Sequence, residues 1–123
     1  MSEFNLTELT LNQLVERFAE IGVAQYDAIH KDDNAEYRRL CKHMDDIDKE
    51  LRARGRDARL ALLKLFDYPN MQVRLMAATM SLGVAPVEAR RAIQAIADSK
   101  WPPQAMDAGM RLSNLDRGIF VPD

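Results

Sequence analysis

Apolar residues recur at helical spacing along nearly the whole chain. Thr10 and Gln13 have the spacing of a capping box, in which each side chain satisfies a free amide of the first helical turn. Gly55, Gly83 and Gly118 stand where later apolar periods stop, as expected for helix ends. No segment alternates with period two, so we expect no sheet. The pattern predicts six helices, over about residues 11–30, 34–53, 57–66, 71–83, 86–99 and 103–116.

The most regular segment is residues 60–84, which read LALLKLFDYPNMQVRLMAATMSLGV. An apolar helix reaches Phe66, a polar turn follows, and a second helix opens after Asn70. This second helix is apolar on more than one side, which is typical of a helix buried between neighbours. We therefore expect a two-helix hairpin at the centre of the molecule.

Residues 60–84 resemble a HEAT repeat. The matching features are the turn and two residue pairs, Asp67-x-Pro69-Asn70, Val73-Arg74 and Ala77-Ala78. The resemblance implies that the valine fills the groove between the helices, that the alanines allow close approach, and that the arginine joins a ladder of Asp and Arg side chains. The whole chain also resembles a small bacterial family of the armadillo-type superfamily. These likenesses imply an all-α, right-handed α-solenoid of about six helices in three antiparallel hairpins, and they imply no activity.

The length of 123 residues fits one helical-repeat domain spanning residues 1–123. Stacking would bury the apolar face that each isolated hairpin leaves bare. We expect the domain to comprise an N-terminal hairpin, a central HEAT-like hairpin, and a C-terminal hairpin with a tail, over residues 1–55, 56–84 and 85–123.

Composition excludes several classes of protein. Hydrophobic residues make up 47% of the chain and charged residues 29%, as in a folded water-soluble protein, and the net charge of −2 offers no general attraction to nucleic acid. The single cysteine, Cys41, rules out an internal disulfide. No signal peptide and no membrane-spanning run is visible, so we expect a cytoplasmic protein. No catalytic constellation, metal-ligand cluster or cofactor motif stands out, so we expect neither an enzyme nor a bound metal or cofactor.

Three residues are candidates for contact with a partner. Trp101 precedes two prolines in a predicted turn, where it either covers the end of the core or anchors a partner as an exposed side chain. Arg74 and Arg111 lie on the second helices of their hairpins, which would form the partner-binding face. For Arg74, a structural role in the ladder competes with a role in binding.

One basic cluster follows the second helix and consists of Arg52, Arg54, Arg56 and Arg59. These cations either stabilise the carboxyl end of that helix or bind a phosphate or an acidic partner.

The function predicted from the sequence is a small cytoplasmic module for protein–protein interaction, with an inhibitor or immunity-type binder as a more specific version. Its protein partner is not identified by the sequence, and a homodimer formed through an apolar face is also open. The alternative is binding of nucleic acid or a phosphate ligand through the arginine cluster, although nucleic acid is disfavoured because the cluster is short and lacks interleaved aromatic residues.

Overall fold

The computed structural model describes residues 5–123, and this part of the chain is all-α. After a short 3-10 turn at Leu6–Glu8 come six α-helices: α1 (Leu11–His30), α2 (Asn34–Arg54), α3 (Arg56–Leu60), α4 (Met71–Met80), α5 (Pro86–Asp98) and α6 (Gln104–Asp116). A 3-10 segment, Ala61–Leu65, directly continues α3. No strand is present between residues 5 and 123.

The predicted helix starts are confirmed by the caps. The Thr10 hydroxyl accepts a hydrogen bond from the amide of Gln13 at 3.1 Å, and the Gln13 side chain accepts one from the amide of Thr10 at 2.8 Å. Asp33 caps α2 by accepting from the amide of Glu36 at 3.1 Å. At α4, the Asn70 side chain accepts from the amides of Gln72 and Val73, which fixes the start of the central helix.

Two predicted helix limits differ from the structure. The predicted helix over residues 57–66 is divided between α3 and the 3-10 segment, and the helix expected to reach Gly83 ends at Met80. At that end, the Ser81 hydroxyl bonds to the carbonyl of Ala77 at 2.8 Å while its amide bonds to the same carbonyl at 3.1 Å. The next amide, that of Leu82, bonds to the carbonyl of Thr79 three residues back at 3.3 Å, so the α-helical spacing ends before the glycine is reached.

Helix α4 lies between two hydrophobic cores, which confirms that it is central. It packs against α1 on one side and against α5 and α6 on the other. Val73 and Ala77 belong to the first core, which α1, α2, α3 and the 3-10 segment complete. Leu75 and Ala78 belong to the second core, which is completed by α5 and α6. An amphipathic helix needs one apolar face, and α4 needs two because both of its sides are covered.

Close approach of α1 to α4 depends on a residue without a side chain. A Cβ added to Gly22 would lie 2.7 Å from Cγ2 of Val73 and 3.1 Å from its Cα. Val73 is fully buried, so it has no room to move aside. Val73 of α4 thus packs into the hollow that Gly22 leaves on α1.

Candidate functional site

Trp101 stands at the surface between α5 and α6. Trp101 is 51% exposed, so about half of its surface is open to solvent. The preceding turn is held by Ser99, whose hydroxyl donates to the carbonyl of Ile96 at 2.6 Å and accepts from the amide of Trp101 at 3.1 Å. The indole Nε1 donates to the hydroxyl of Tyr26 in α1 at 3.2 Å. This bond fixes the ring while leaving much of its surface open to solvent.

A cleft of about 310 Å3 lies beside the indole. We call it the Trp101 cleft, and it is lined by Tyr26, Pro69, Asn70, Met71, Arg74 and Trp101. The Tyr26 ring also lies against that of His30, with the ring centroids 4.3 Å apart. The cleft therefore combines two aromatic rings, a proline, a methionine thioether and one cation.

Arg74 is held at the cleft by the turn that precedes α4. Its Nε donates to the carbonyl of Tyr68, and its Nη2 donates to the carbonyl of Asp67 at 3.5 Å. These bonds to main-chain oxygens take the place of the carboxylate ladder that the HEAT-like pattern implied. They orient the guanidinium without neutralising it, so the positive charge remains available at the cleft.

Arg111 lies elsewhere, in a second cleft of about 290 Å3. It pairs with Asp107 one turn earlier in α6, with 2.9 Å between Nε and Oδ1, and its Nη1 donates to the Thr79 hydroxyl at 3.4 Å. The exposed side chains of Met110 and Phe120 also line this cleft. The structure thus brings Trp101 and Arg74 together and separates both from Arg111.

Tyr37 on α2 faces this charged region of α6. Burial raises the pKa of its phenol to about 12, and the neighbouring Cys41 and the Asp107 carboxylate add to the shift, which Arg111 opposes. Cys41 itself is half-buried, and its sulfur lies 3.7 Å from the side-chain nitrogen of Gln25.

All four arginines of the basic cluster bind groups within the chain. Arg54 pairs with Glu50 at 2.8 Å and donates to carbonyls of the residues before α1, the shortest bond being 2.7 Å to that of Leu9. Arg56 donates to the carbonyl of Val84 at 3.2 Å. The other two, Arg52 and Arg59, both bind Asp123. The cluster is therefore used largely for bonds within the chain.

Sequence patterns did not reveal two features of the site region. Tyr26 was not expected to hold Trp101, because their distance of 75 positions along the chain gives no local signal. Three buried glutamines, in α1, α4 and α6, form a hydrogen-bonded series, namely Gln25, Gln72 and Gln104. A glutamine at a position flanked by apolar residues, such as Gln72 between Met71 and Val73, is the sequence signal that could have indicated these buried amides.

Two kinds of feature are absent from the part of the chain that the structure describes. Between residues 5 and 123 there is no group of three or more His, Cys, Asp or Glu side chains arranged to hold a metal ion. Within the same residues, no helix has the length and apolar character needed to cross a membrane.

Together these observations define an all-helical protein with an aromatic, positively charged surface cleft. Residues 12–116 match the family described as a domain of unknown function, DUF2019, and the chain belongs to that family. It is also similar to a solved structure, the protein RPA1889 from the bacterium Rhodopseudomonas palustris CGA009. The two are 50% identical with a TM-score of 0.93, over 98% of this chain and 100% of that one. No curated protein matches the chain.

Proposed function

We propose that this chain is a small protein-binding module whose contact surface is the Trp101 cleft. The observation that carries the proposal is the half-exposed indole, held by Tyr26 beside the oriented guanidinium of Arg74. Tryptophan, tyrosine and arginine are the residue types that dominate binding energy at protein interfaces.

The binding free energy that the indole can contribute follows from its exposed area. A tryptophan exposes up to about 250 Å2, so a partner that covers the open half would bury about 120 Å2 and gain about 3 kcal/mol. Because Tyr26 already restrains the ring, less side-chain entropy is lost when the partner binds. One residue of this kind can therefore make a large contribution to a small interface.

The packing of α4 on both α1 and α5 supports a further part of the proposal, a right-handed, solenoid-like stack of three hairpins of HEAT or armadillo type. Such stacks commonly present surfaces to other macromolecules. We further propose a non-enzymatic cytoplasmic protein, with an inhibitor or immunity-type role as its specific form.

Binding of nucleic acid or phosphate through the arginine cluster ranks lower. Arg54 and Arg56 donate to main-chain carbonyls, so they have fewer free donors for phosphate oxygens. A shift of labelled nucleic acid at low salt that disappears steeply as salt rises would restore this alternative.

The test compares capture of partners from host cells by the wild type, by Trp101→Ala and by a control. Val87→Ala is the matched control, because Val87 is an apolar side chain that is 63% exposed and does not line the cleft. We expect Trp101→Ala to lose its partner by about tenfold or more, with a melting temperature within about 3 °C of wild type, since exposed substitutions change stability little. Val87→Ala should retain the partner.

Two outcomes would contradict the proposal. Unchanged capture by Trp101→Ala would remove the cleft as the contact surface. A fall in melting temperature above about 8 °C would show that the indole stabilises the fold, since that corresponds to more than about 1 kcal/mol in a domain of this size. Tyr26→Phe, which removes only the bond to the indole, should weaken capture less than Trp101→Ala does.

A further inference from the structure

The segment that follows α6, residues 117–123, turns back over the helix. Gly118 adopts a φ of 72°, and the amides of Ile119 and Phe120 both donate to the carbonyl of Asn114, at 2.9 and 3.2 Å. Ile119 and Phe120 thus form a fold-back over the last turn of α6. It directs the chain toward α2 and α3, where Asp123 lies.

Asp123 is held at two points. Its side-chain Oδ1 accepts from Nη1 of Arg52 at 2.8 Å, and its main-chain oxygen accepts from Nη1 of Arg59 at 3.3 Å. Its backbone also lies against Gly83, where an added Cβ would be 2.5 Å from the Asp123 carbonyl carbon. Arg52, Arg59 and Gly83 thus form a notch, which we call the arginine notch.

Arg59 is the unusual member of the arginine notch. It is only 8% exposed, and its Nη2 donates to the carbonyl of Met80 at 3.3 Å. Its Nε is buried and has no hydrogen-bond partner among residues 5–123. A buried guanidinium whose Nε has no partner keeps a strong attraction for negative charge.

Arg52 pairs with Asp48 at 2.9 Å within α2. The Asp123 carboxylate brings a second negative charge to Arg52 from the surface. Its side chain is 85% exposed, and the hydrogen bond from Arg52 keeps the pKa of this carboxyl below its usual value, with the charge of Arg59 adding to the effect. An exposed ion pair of this kind holds its partner weakly, because water and salt screen it. The side-chain carboxylate is therefore the weakly held part of the contact that Asp123 makes with the arginine notch.

We propose that the arginine notch is a recognition site for an acidic residue within an extended segment of a partner protein, and that Asp123 occupies the site in cis. The ligand is a polypeptide rather than a free anion, because Arg52 binds a side-chain carboxylate while Arg59 binds a main-chain oxygen. Gly83 leaves space for that main chain. This site is separate from the Trp101 cleft and does not depend on its function.

A peptide copied from the chain provides the probe. It is a fluorescein-labelled, carboxyl-amidated hexapeptide with the sequence of residues 118–123, Gly-Ile-Phe-Val-Pro-Asp, so that the aspartate side chain is its only carboxylate. Binding to the full chain is followed by fluorescence anisotropy at low salt. The host proteins are the wild type and Asp123→Ala, which removes the competing carboxylate from an exposed position.

The peptide should bind Asp123→Ala at least about threefold more tightly than wild type, because the tethered residue competes at high effective concentration. A peptide that ends in asparagine should bind about threefold to tenfold more weakly, since it loses a charge-assisted bond. Adding Arg52→Ala to the host should cause a similar loss. Lys49→Ala is the matched control, because it removes an exposed cation from the same helix, and it should have no such effect.

Equal binding of the aspartate and asparagine peptides would overturn the proposal, and this comparison uses no variant whose folding is in question. Equal binding to the wild type and to Asp123→Ala would show that Asp123 does not compete for the site, which also overturns it. Failure to detect binding at peptide concentrations up to about 1 mM would also overturn the proposal. That limit matches the effective concentration of a residue held on a short tether.

Discussion

The hydrogen bonds between the three buried glutamines allow a quantitative prediction of the free energy of unfolding. Gln104 Nε2 donates to Gln72 Oε1 at 3.1 Å, and Gln72 Nε2 donates to Gln25 Oε1 at 3.1 Å. Gln25 Nε2 in turn lies 3.7 Å from the sulfur atoms of Cys41 and Met44. All three glutamines are at most 1% exposed, so water cannot replace a lost partner. The series connects α6, α4, α1 and α2 in that order.

The informative substitution is Gln72→Leu, which keeps the size of the side chain and removes both of its polar groups. It leaves the Oε1 of Gln25 without its donor and the Nε2 of Gln104 without its acceptor. Each stranded group costs about 1–3 kcal/mol, and the added leucine returns about 1–2 kcal/mol of apolar transfer energy. Gln104 is affected most, because its Oε1 already has no hydrogen-bond partner among residues 5–123. We expect a net loss of about 3 kcal/mol in the free energy of unfolding.

Urea unfolding followed by circular dichroism at 222 nm measures this loss. Gln94→Leu is the matched control, because Gln94 is an exposed glutamine of α5, and it should change stability by less than about 0.5 kcal/mol. Replacing all three glutamines with leucine should cost less than three times the single change, since no amide is then left stranded.

A loss of unfolding free energy below about 1 kcal/mol for Gln72→Leu would refute this reasoning. It would mean that the unpaired groups on Gln25 and Gln104 do not destabilise the fold. A triple variant whose cost equals the sum of the three single costs would show that the glutamines act independently rather than as a series.

Three more predictions concern the helix contacts, the cap and the phenol. Gly22→Ala should lower the free energy of unfolding by about 1–3 kcal/mol through its clash with Val73. Adding Val73→Ala should recover part of that loss in a double-mutant cycle, and fully additive stability changes would contradict the contact. Asn70→Ala should cost about 1 kcal/mol in urea unfolding, because it frees two amides of α4, and no loss would contradict the cap. The pKa of Tyr37 is about 12 in the folded state against 10.0 for the free group. The protonated phenol therefore contributes its full stability below pH 10, and this stability is lost as the pH rises to about 12. In Tyr37→Phe, unfolding measured across that range should decline less steeply than in wild type, and identical slopes would contradict the shift.

Most of the helices could be predicted from the sequence because their signals are local. Capping requires residues three positions apart, as at Thr10 and Gln13, and an apolar face requires only the period of the helix itself. The less accurate limits lie where two local signals compete. At the end of α4, the main-chain hydrogen bonds change from four-residue to three-residue spacing at Leu82, before Gly83 is reached.

The candidate site was predictable only in part. Residue type singled out Trp101 and Arg74, because a lone tryptophan in a turn and a cation in a recognisable repeat are unusual. That they share one cleft, while Arg111 lies in another, depends on how α1, α4 and α6 pack. The arginine cluster could be recognised in the sequence. Which of its arginines bind main-chain carbonyls and which bind Asp123 could not be predicted.

The sequence by itself determined an all-helical chain, with α4 as the buried central helix and with few residues suited to contact a partner. Periodicity and capping act over a few residues, and so they can be read from neighbouring positions. The tertiary structure alone decided which distant side chains meet: Gly22 with Val73, Tyr26 with Trp101, and Arg59 with Asp123. These pairings follow from the packing of whole helices, which is the sum of many weak contacts, and no single local pattern specifies it.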